Sequence, residues 1–170
     1  MSISVGIFGY GSQGRAHALN LRDAGYKVYI ANRDDKYKKL ANKDGFKVLS
    51  FKDVASRCKV IFVLLPDNSH KKIFENIINC YCQKKTILIF AHGYSIYFGD
   101  IKVNKNFSWF LLAPRYPGIL IRENFLKKKN IPVFYSKIYY QNENLKIFKN
   151  ISKKILFKLN KKYEVSIKEE

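Results

Sequence analysis

Val5-Gly6-Ile7-Phe8-Gly9-Tyr10-Gly11-Ser12-Gln13-Gly14-Arg15-Ala16-His17-Ala18-Leu19 is the stretch that decides the fold of this chain. Ile3, Val5, Ile7 and Phe8 form a β-rich run that leads directly into Gly9-x-Gly11-x-x-Gly14. Ala16, Ala18, Leu19, Leu21 and Ala24 then recur at helical spacing, with Gly25 as a stop. A second apolar run over 28–31 completes a strand–helix–strand unit. In such a unit Gly9 permits the tight turn out of the strand, Gly11 lets the backbone come up against a pyrophosphate, and Gly14 lets the helix lie close to the sheet. The helix N-terminus adds N–H groups and a partial positive charge for phosphate oxygens. Asn32-Arg33-Asp34-Asp35 stands roughly 20 residues beyond the glycines, where a ribose reader belongs. The pattern points to a dinucleotide site.

Outward from this unit, residues 36–43 read as a short helix and 47–49 as a short strand. Ser50-x-x-Asp53 reads as a helix cap with an acid at the third position. Residues 60–65 form a continuous apolar strand of the kind buried on both faces in parallel sheets, ending at Pro66. Ile73, Phe74, Ile77, Ile78 and Tyr81 fall on one helical stripe, read as a core face. Further strands are expected over 86–90, 109–113 and 133–136. Leu145, Phe148, Ile151, Ile155 and Leu159 mark a last amphipathic helix, and 163–167 a last strand.

Strands alternating with helices predict an α/β fold: a doubly wound, mainly parallel Rossmann sheet with helices on both faces. Ligands in such sheets sit at the carboxyl ends of strands. Clusters around Asp67, His92 and Arg115 all follow expected strands, so their convergence on one crevice with the glycine turn is an expectation. No repeat, linker or boundary interrupts residues 1–170, which read as a single domain.

Composition narrows the function classes. No stretch approaches the roughly 18 apolar residues of a membrane span, and no leader segment is legible, so a soluble cytoplasmic protein is expected, the cytoplasm of an organelle-like symbiont included. Cys58, Cys80 and Cys82 make no disulfide framework, and their spacing offers no zinc site. A net charge of +19 invites a nucleic-acid reading. The lysines are spread along the chain rather than focused, and Lys, Asn, Ile, Phe and Tyr are abundant together, as in an adenine- and thymine-rich genome. Codon bias is therefore the favoured account of the charge over a nucleic-acid partner.

At this point the residues resemble one family, the ketol-acid reductoisomerases, also called acetohydroxy-acid isomeroreductases. The resemblance rests on Gly9-Tyr10-Gly11-Ser12-Gln13-Gly14 with Ala16-His17-Ala18-Leu19-Asn20, on Leu64-Leu65-Pro66-Asp67, on Ala91-His92-Gly93 with Phe98-Gly99, on Ala113-Pro114 with Pro117-Gly118, and on the closing Lys168-Glu169-Glu170. It implies a two-part reaction on 2-acetolactate or 2-aceto-2-hydroxybutyrate in valine, leucine and isoleucine biosynthesis: a magnesium-driven alkyl migration, then hydride transfer from the nicotinamide. By matching position, Tyr10, Gly11, Ser12 and Gln13 hold the pyrophosphate, with Gly9 and Gly14 shaping the turn. Arg33 meets the adenosine end, Asp67, Asn68, Ser69 and His70 the ribose and adjoining groups, and Gly118 the nicotinamide side. His92 matches the family's catalytic histidine, and imidazole suits proton transfer near neutral pH.

The chain also departs from the family pattern. Arg115 stands where the family has a catalytic lysine, which keeps the charge and changes its shape. After Arg33 the chain offers Asp34, Asp35 and Lys36 instead of the serines used for a 2′-phosphate, which makes NAD(H) an alternative to the family's NADP(H). The helical domain that carries the magnesium ligands in the family is expected to be absent, since a terminal Glu169-Glu170 pair cannot organise octahedral coordination. A separate helical chain as partner is one expectation. An inactive cofactor-binding remnant and a basic nucleic-acid-binding Rossmann protein are the alternatives.

Overall fold

The computed structural model describes residues 3–156, 164 and 165. Strand β1 (Ser4–Phe8) runs through the glycine turn into α1 (Ser12–Asp23), followed by β2 (Lys27–Ala31), α2 (Lys36–Lys43), β3 (Lys47–Leu49), α3 (Phe51–Arg57) and β4 (Val60–Val63). A 3-10 turn (Asp67–Ser69) opens a helical segment made of α4 (His70–Ile73), a π turn (Phe74–Ile78) and α5 (Asn79–Tyr81). Then come β5 (Ile87–Phe90), α6 (Tyr94–Tyr97), β6 (Ser108–Pro114), α7 (Gly118–Leu126), β7 (Val133–Tyr139) and α8 (Asn142–Leu156).

The seven strands form one sheet in the order β3-β2-β1-β4-β5-β6-β7. All pairings are parallel except β6 with β7, which is antiparallel. The order reverses between β1 and β4, and that reversal opens a crevice at the carboxyl ends of the two strands.

Side chains alternate between two cores, one on each sheet face. Val5, Ile7, Val60, Phe62, Ile87, Ile89 and Phe110 pack under α1, α7 and α8, through Leu21, Ile121, Phe148 and Ile151. Phe8, Ile61, Val63, Leu88, Phe90 and Trp109 pack on the other face, through Val54, Phe74, Ile78 and Ile96. Burial on both faces explains the unbroken apolar run of β4, and each such side chain contributes about 1.5–3 kcal/mol. His17 is fully buried in α1 beside the Phe62 ring at 5.4 Å. Burial pushes its imidazole down to about 4, so it packs as a neutral ring.

The local expectations hold for α2, β3 and the Ser50 cap, whose Oγ accepts from the Asp53 N–H at 3.1 Å. Gly25 closes α1 at φ +88°, a left-handed conformation natural to glycine. Three details differ from the sequence reading. Tyr81 is 38% exposed, because the π turn inserts an extra residue and rotates the end of the stripe outward; Phe74 and Ile78 keep the core face. Strand β7 extends to Tyr139, and helices α6 and α7 occupy stretches to which the sequence reading assigns no element. Of the expected strand over 163–167 only Glu164 and Val165 are described: Glu164 bridges Tyr135 in parallel sense, and the Val165 N–H donates to the Tyr135 carbonyl at 2.9 Å. Leu159 and the closing Lys168-Glu169-Glu170 lie outside the described residues.

Candidate functional site

The glycine turn is built by close contacts. Gly9 adopts φ +94°, and a Cβ there would stand 2.7 Å from the Leu64 carbonyl oxygen. A Cβ on Gly14 would run into the Gly9 carbonyl oxygen, which is how α1 comes so close to the end of β1. Gly11 is different: its backbone is ordinary, φ −71° and ψ −163°, and a Cβ would meet nothing within 4 Å. The fold needs glycine at Gly9 and Gly14, and leaves open space at Gly11.

That space belongs to a crevice of about 670 Å³, within the range of ligand sites. Gly9, Gly11, Asn32, Arg33, Leu65 and Ser69 contribute to its walls, with Tyr37, Phe51, Asn68, Lys72 and Ile73 beyond them. Helix α1 has no acidic residue in its first turn and no side-chain cap, so its partial positive charge faces the crevice unopposed.

Neighbouring polar groups hold this geometry. Asn32 accepts the Tyr10 N–H at 2.9 Å through Oδ1, and its Nδ2 donates to the Arg33 carbonyl and to Asp35, each at 2.9 Å. Asp35 also accepts the Tyr37 and Lys38 N–H groups as the cap of α2, and its second oxygen accepts from Arg33 Nε at 2.8 Å. The Arg33 bond leads the causes that hold its carboxyl below the ordinary value. Asp34 lies exposed and pairs with Lys38 at 3.4 Å.

Tyr10 reaches the crevice through its backbone, because its ring is buried beside Phe46 and its hydroxyl donates to Asp44 at 2.8 Å. Burial, with Asp44 second, pushes that phenol above its ordinary value. Ser12 and Gln13 turn their side chains to the loop after β6: Ser12 Oγ accepts the Gly118 N–H at 3.2 Å, and Gln13 Nε2 donates to the Tyr116 carbonyl at 3.1 Å. A Cβ on Gly118 would run into the Ser12 carbonyl, so α7 opens directly against α1.

The second cluster lies beyond β4 and β5. His92 Nδ1 stands 3.1 Å from Asp67 Oδ1, and both side chains are partly exposed. His70 is buried behind them, with Nδ1 2.9 Å from Ser95 Oγ and Nε2 3.1 Å from the Leu65 carbonyl. Burial holds the His70 imidazole below its ordinary value. Asp67 and His70 do not line the crevice, whereas Asn68 and Ser69 do. Arg115 follows β6, the neighbour of β5, and its guanidinium lies 4.8 Å from the Phe134 ring centre. Asn32, which holds the first cluster, stood in the stretch expected to read the ribose but without a role of its own, and Ser95, which holds the second, was not among the expected site residues. Asn32 is signalled only by its place at the end of β2, and Ser95 by nothing in its own neighbourhood.

Fold and crevice define a Rossmann domain of the nucleotide-binding type, with its glycine turn at the sheet's reversal point. Residues 2–154 match the family model described as acetohydroxy acid isomeroreductase, NADPH-binding domain, and the chain belongs to that family. It is 38% identical over 146 residues to the ketol-acid reductoisomerase (NADP(+)) of Helicobacter acinonychis, a match covering 85% of this chain and 43% of that protein. An NADH-preferring ketol-acid reductoisomerase from an uncultured archaeon superposes with a TM-score of 0.85 at 26% identity, over 91% of this chain and 49% of that one. A semialdehyde dehydrogenase NAD-binding protein from Cupriavidus necator has the same fold, with a TM-score of 0.80 at 17% identity over 98% of this chain and 64% of that one. The chain thus spans less than half the length of the curated relative it matches.

Proposed function

We propose that this chain binds NADP(H) in the crevice at β1, β2 and β4 and forms the reducing half of a ketol-acid reductoisomerase acting on 2-acetolactate or 2-aceto-2-hydroxybutyrate. The observation that carries the reading is Gly11: the fold does not need a glycine there, and a pyrophosphate lying against the backbone does. When bound, NADPH supplies a hydride to a ketone carbon. The first N–H groups of α1, from Ser12, Gln13 and Gly14, hold the pyrophosphate, and Arg33, Asn68 and Ser69 surround the adenosine ribose. His92, with Nδ1 beside Asp67, would take up a proton at its outward Nε2 and give it from there to the oxygen that hydride transfer leaves charged, returning to the neutral ring with Nδ1–H. Arg115 provides a fixed positive charge suited to the substrate carboxylate, and Gly118 borders the nicotinamide side.

Among the described residues no group of three or more His, Cys, Asp or Glu side chains could hold a metal ion. These residues do not fit a magnesium site, and the alkyl migration is assigned to a helical part outside them. Exposed Tyr94 and Phe98 at α6, and Ile119 at the start of α7, follow the carboxyl ends of β5 and β6 and support docking of that part. No helix of the described residues is long and apolar enough to cross a membrane.

Asp35 bears on the choice of cofactor. An acid at this position takes the ribose hydroxyl of NAD, but both Asp35 oxygens are already engaged by Asn32, Arg33 and the start of α2. Arg33 and Lys72, both on the crevice wall, present the positive charge a 2′-phosphate requires. Calorimetric titration tests this. NADPH is expected to bind more tightly than NADH, and Arg33→Ala or Lys72→Ala to weaken NADPH about tenfold each with NADH unchanged. Equal losses for both dinucleotides, or none, contradict the 2′-phosphate assignment.

A further inference from the structure

We infer that Asp67 is the positioning carboxylate of His92, anchored by the buried Ser95–His70 pair, and that it makes no contact with the dinucleotide. The inference rests on the reading of His92 as the proton-handling group, and it moves Asp67 and His70 from the cofactor's ribose to the reacting end of the site.

Three groups gather around one carboxylate oxygen. Asp67 Oδ1 lies 3.1 Å from His92 Nδ1, 3.1 Å from Ser95 Oγ and 3.7 Å from His70 Nδ1. A carboxylate only accepts, so its place 3.1 Å from Nδ1 favours the neutral ring form with the proton on Nδ1 and Nε2 bare. Without such a partner a half-exposed imidazole distributes its proton between both nitrogens. Asp67 therefore selects the tautomer in which the outward nitrogen has a lone pair.

His70 is fixed from behind. Its Nε2 faces the Leu65 carbonyl at 3.1 Å, which only accepts, so Nε2 is the protonated nitrogen and Nδ1 stands as an acceptor 2.9 Å from Ser95 Oγ. Ser95 has one hydroxyl proton for two neighbouring acceptors, and its donation to Asp67 Oδ1 at 3.1 Å ties the carboxylate to a buried support. The His70 and His92 rings stand nearly parallel, 12° apart with centres 5.8 Å apart, so His70 also forms the back wall of the His92 position. The backbone arrangement agrees: Pro66 at φ −59° and ψ 145° starts the 3-10 turn, from which Asn68 and Ser69 face the crevice while Asp67 turns to the histidines.

The test measures imidazole ¹⁵N chemical shifts of the whole chain at about pH 8, where exposed histidines are neutral. Wild type is expected to show His92 almost wholly in the Nδ1–H form. Asp67→Ala is expected to release it to a mixed population, and Asp67→Asn, which keeps an acceptor oxygen, to restore it. NADPH affinity is expected to change less than about twofold in both variants, against the tenfold loss that removing a direct polar contact brings. An unchanged His92 tautomer in Asp67→Ala overturns the inference, as does a tenfold loss of NADPH affinity. If the wild type binds no NADPH, the cofactor reading falls, and the tautomer shift alone decides the role of Asp67.

Discussion

Gly11→Val is expected to leave the protein folded and remove dinucleotide binding, while Gly14→Ala, a smaller change, is expected to unfold the turn. The contrast follows from what each added side chain would touch. At Gly11 the backbone is extended and a Cβ meets nothing, so valine enters the open crevice without strain. The melting temperature should stay within about 3 °C of wild type, and NADPH affinity should fall about 100-fold or more, because the methyl groups occupy the space the pyrophosphate needs. At Gly14 even one methyl group overlaps the Gly9 carbonyl oxygen, which Gly9 cannot withdraw, because its own N–H is held by the Ala31 carbonyl at 2.9 Å. Separating α1 from β1 costs about 2–5 kcal/mol, a large share of a small domain's stability. Thermal unfolding and calorimetry on the two variants check both halves. Gly11→Val binding NADPH as wild type does would show that the open space holds something else.

The second large effect concerns turnover. A chimera in which residues 2–154 replace the matched region of the Helicobacter acinonychis reductoisomerase is expected to reduce 2-acetolactate with NADPH and magnesium, while this chain alone shows no turnover. In the chimera, His92→Ala should lower kcat about 100-fold with the KM for NADPH nearly unchanged, the signature of a group that acts on the reacting oxygen. A chimera that folds and binds NADPH without turnover would leave a cofactor-binding remnant, and Arg115, in place of the lysine, would be the first residue to revert.

Much of this architecture was legible because burial imposes periodicity. The alternation in β1, the unbroken apolar run of β4 and the spacing of α1 each report which faces are covered, and together they predict a doubly wound sheet. Helix α7 was hidden for the opposite reason. Ile119 and Leu120 are exposed while Ile121 is buried, so its apolar residues surround the helix and leave no stripe to read. Helix α6 is a single turn, too short for a period to appear. Strand β7 was expected, but an apolar pattern carries no direction, and its antiparallel pairing appears only in the register with β6.

Within the site, the glycines were legible because their spacing is set by local covalent geometry. The turn from β1 into α1 uses Gly9 and Gly14 within one short segment, whereas the His92 arrangement assembles residues from the ends of two strands. Ser95 lies 28 positions from Asp67, and no local pattern joins them. Tyr10 shows the converse: its position in the motif was right, and only the structure reveals that the side chain serves the core while the backbone faces the crevice.

The central claim is that NADP(H) lies along this crevice, and a titration of the ¹⁵N-labelled chain with NADPH, followed at its backbone amides, tests it most directly. The account predicts saturable shifts centred on Gly9, Gly11, Ser12, Gln13, Arg33, Asn68, Ser69 and Gly118, with Lys47, on the wall of a separate pocket, unmoved. Shifts that do not saturate, or that cluster away from the glycine turn, would contradict it.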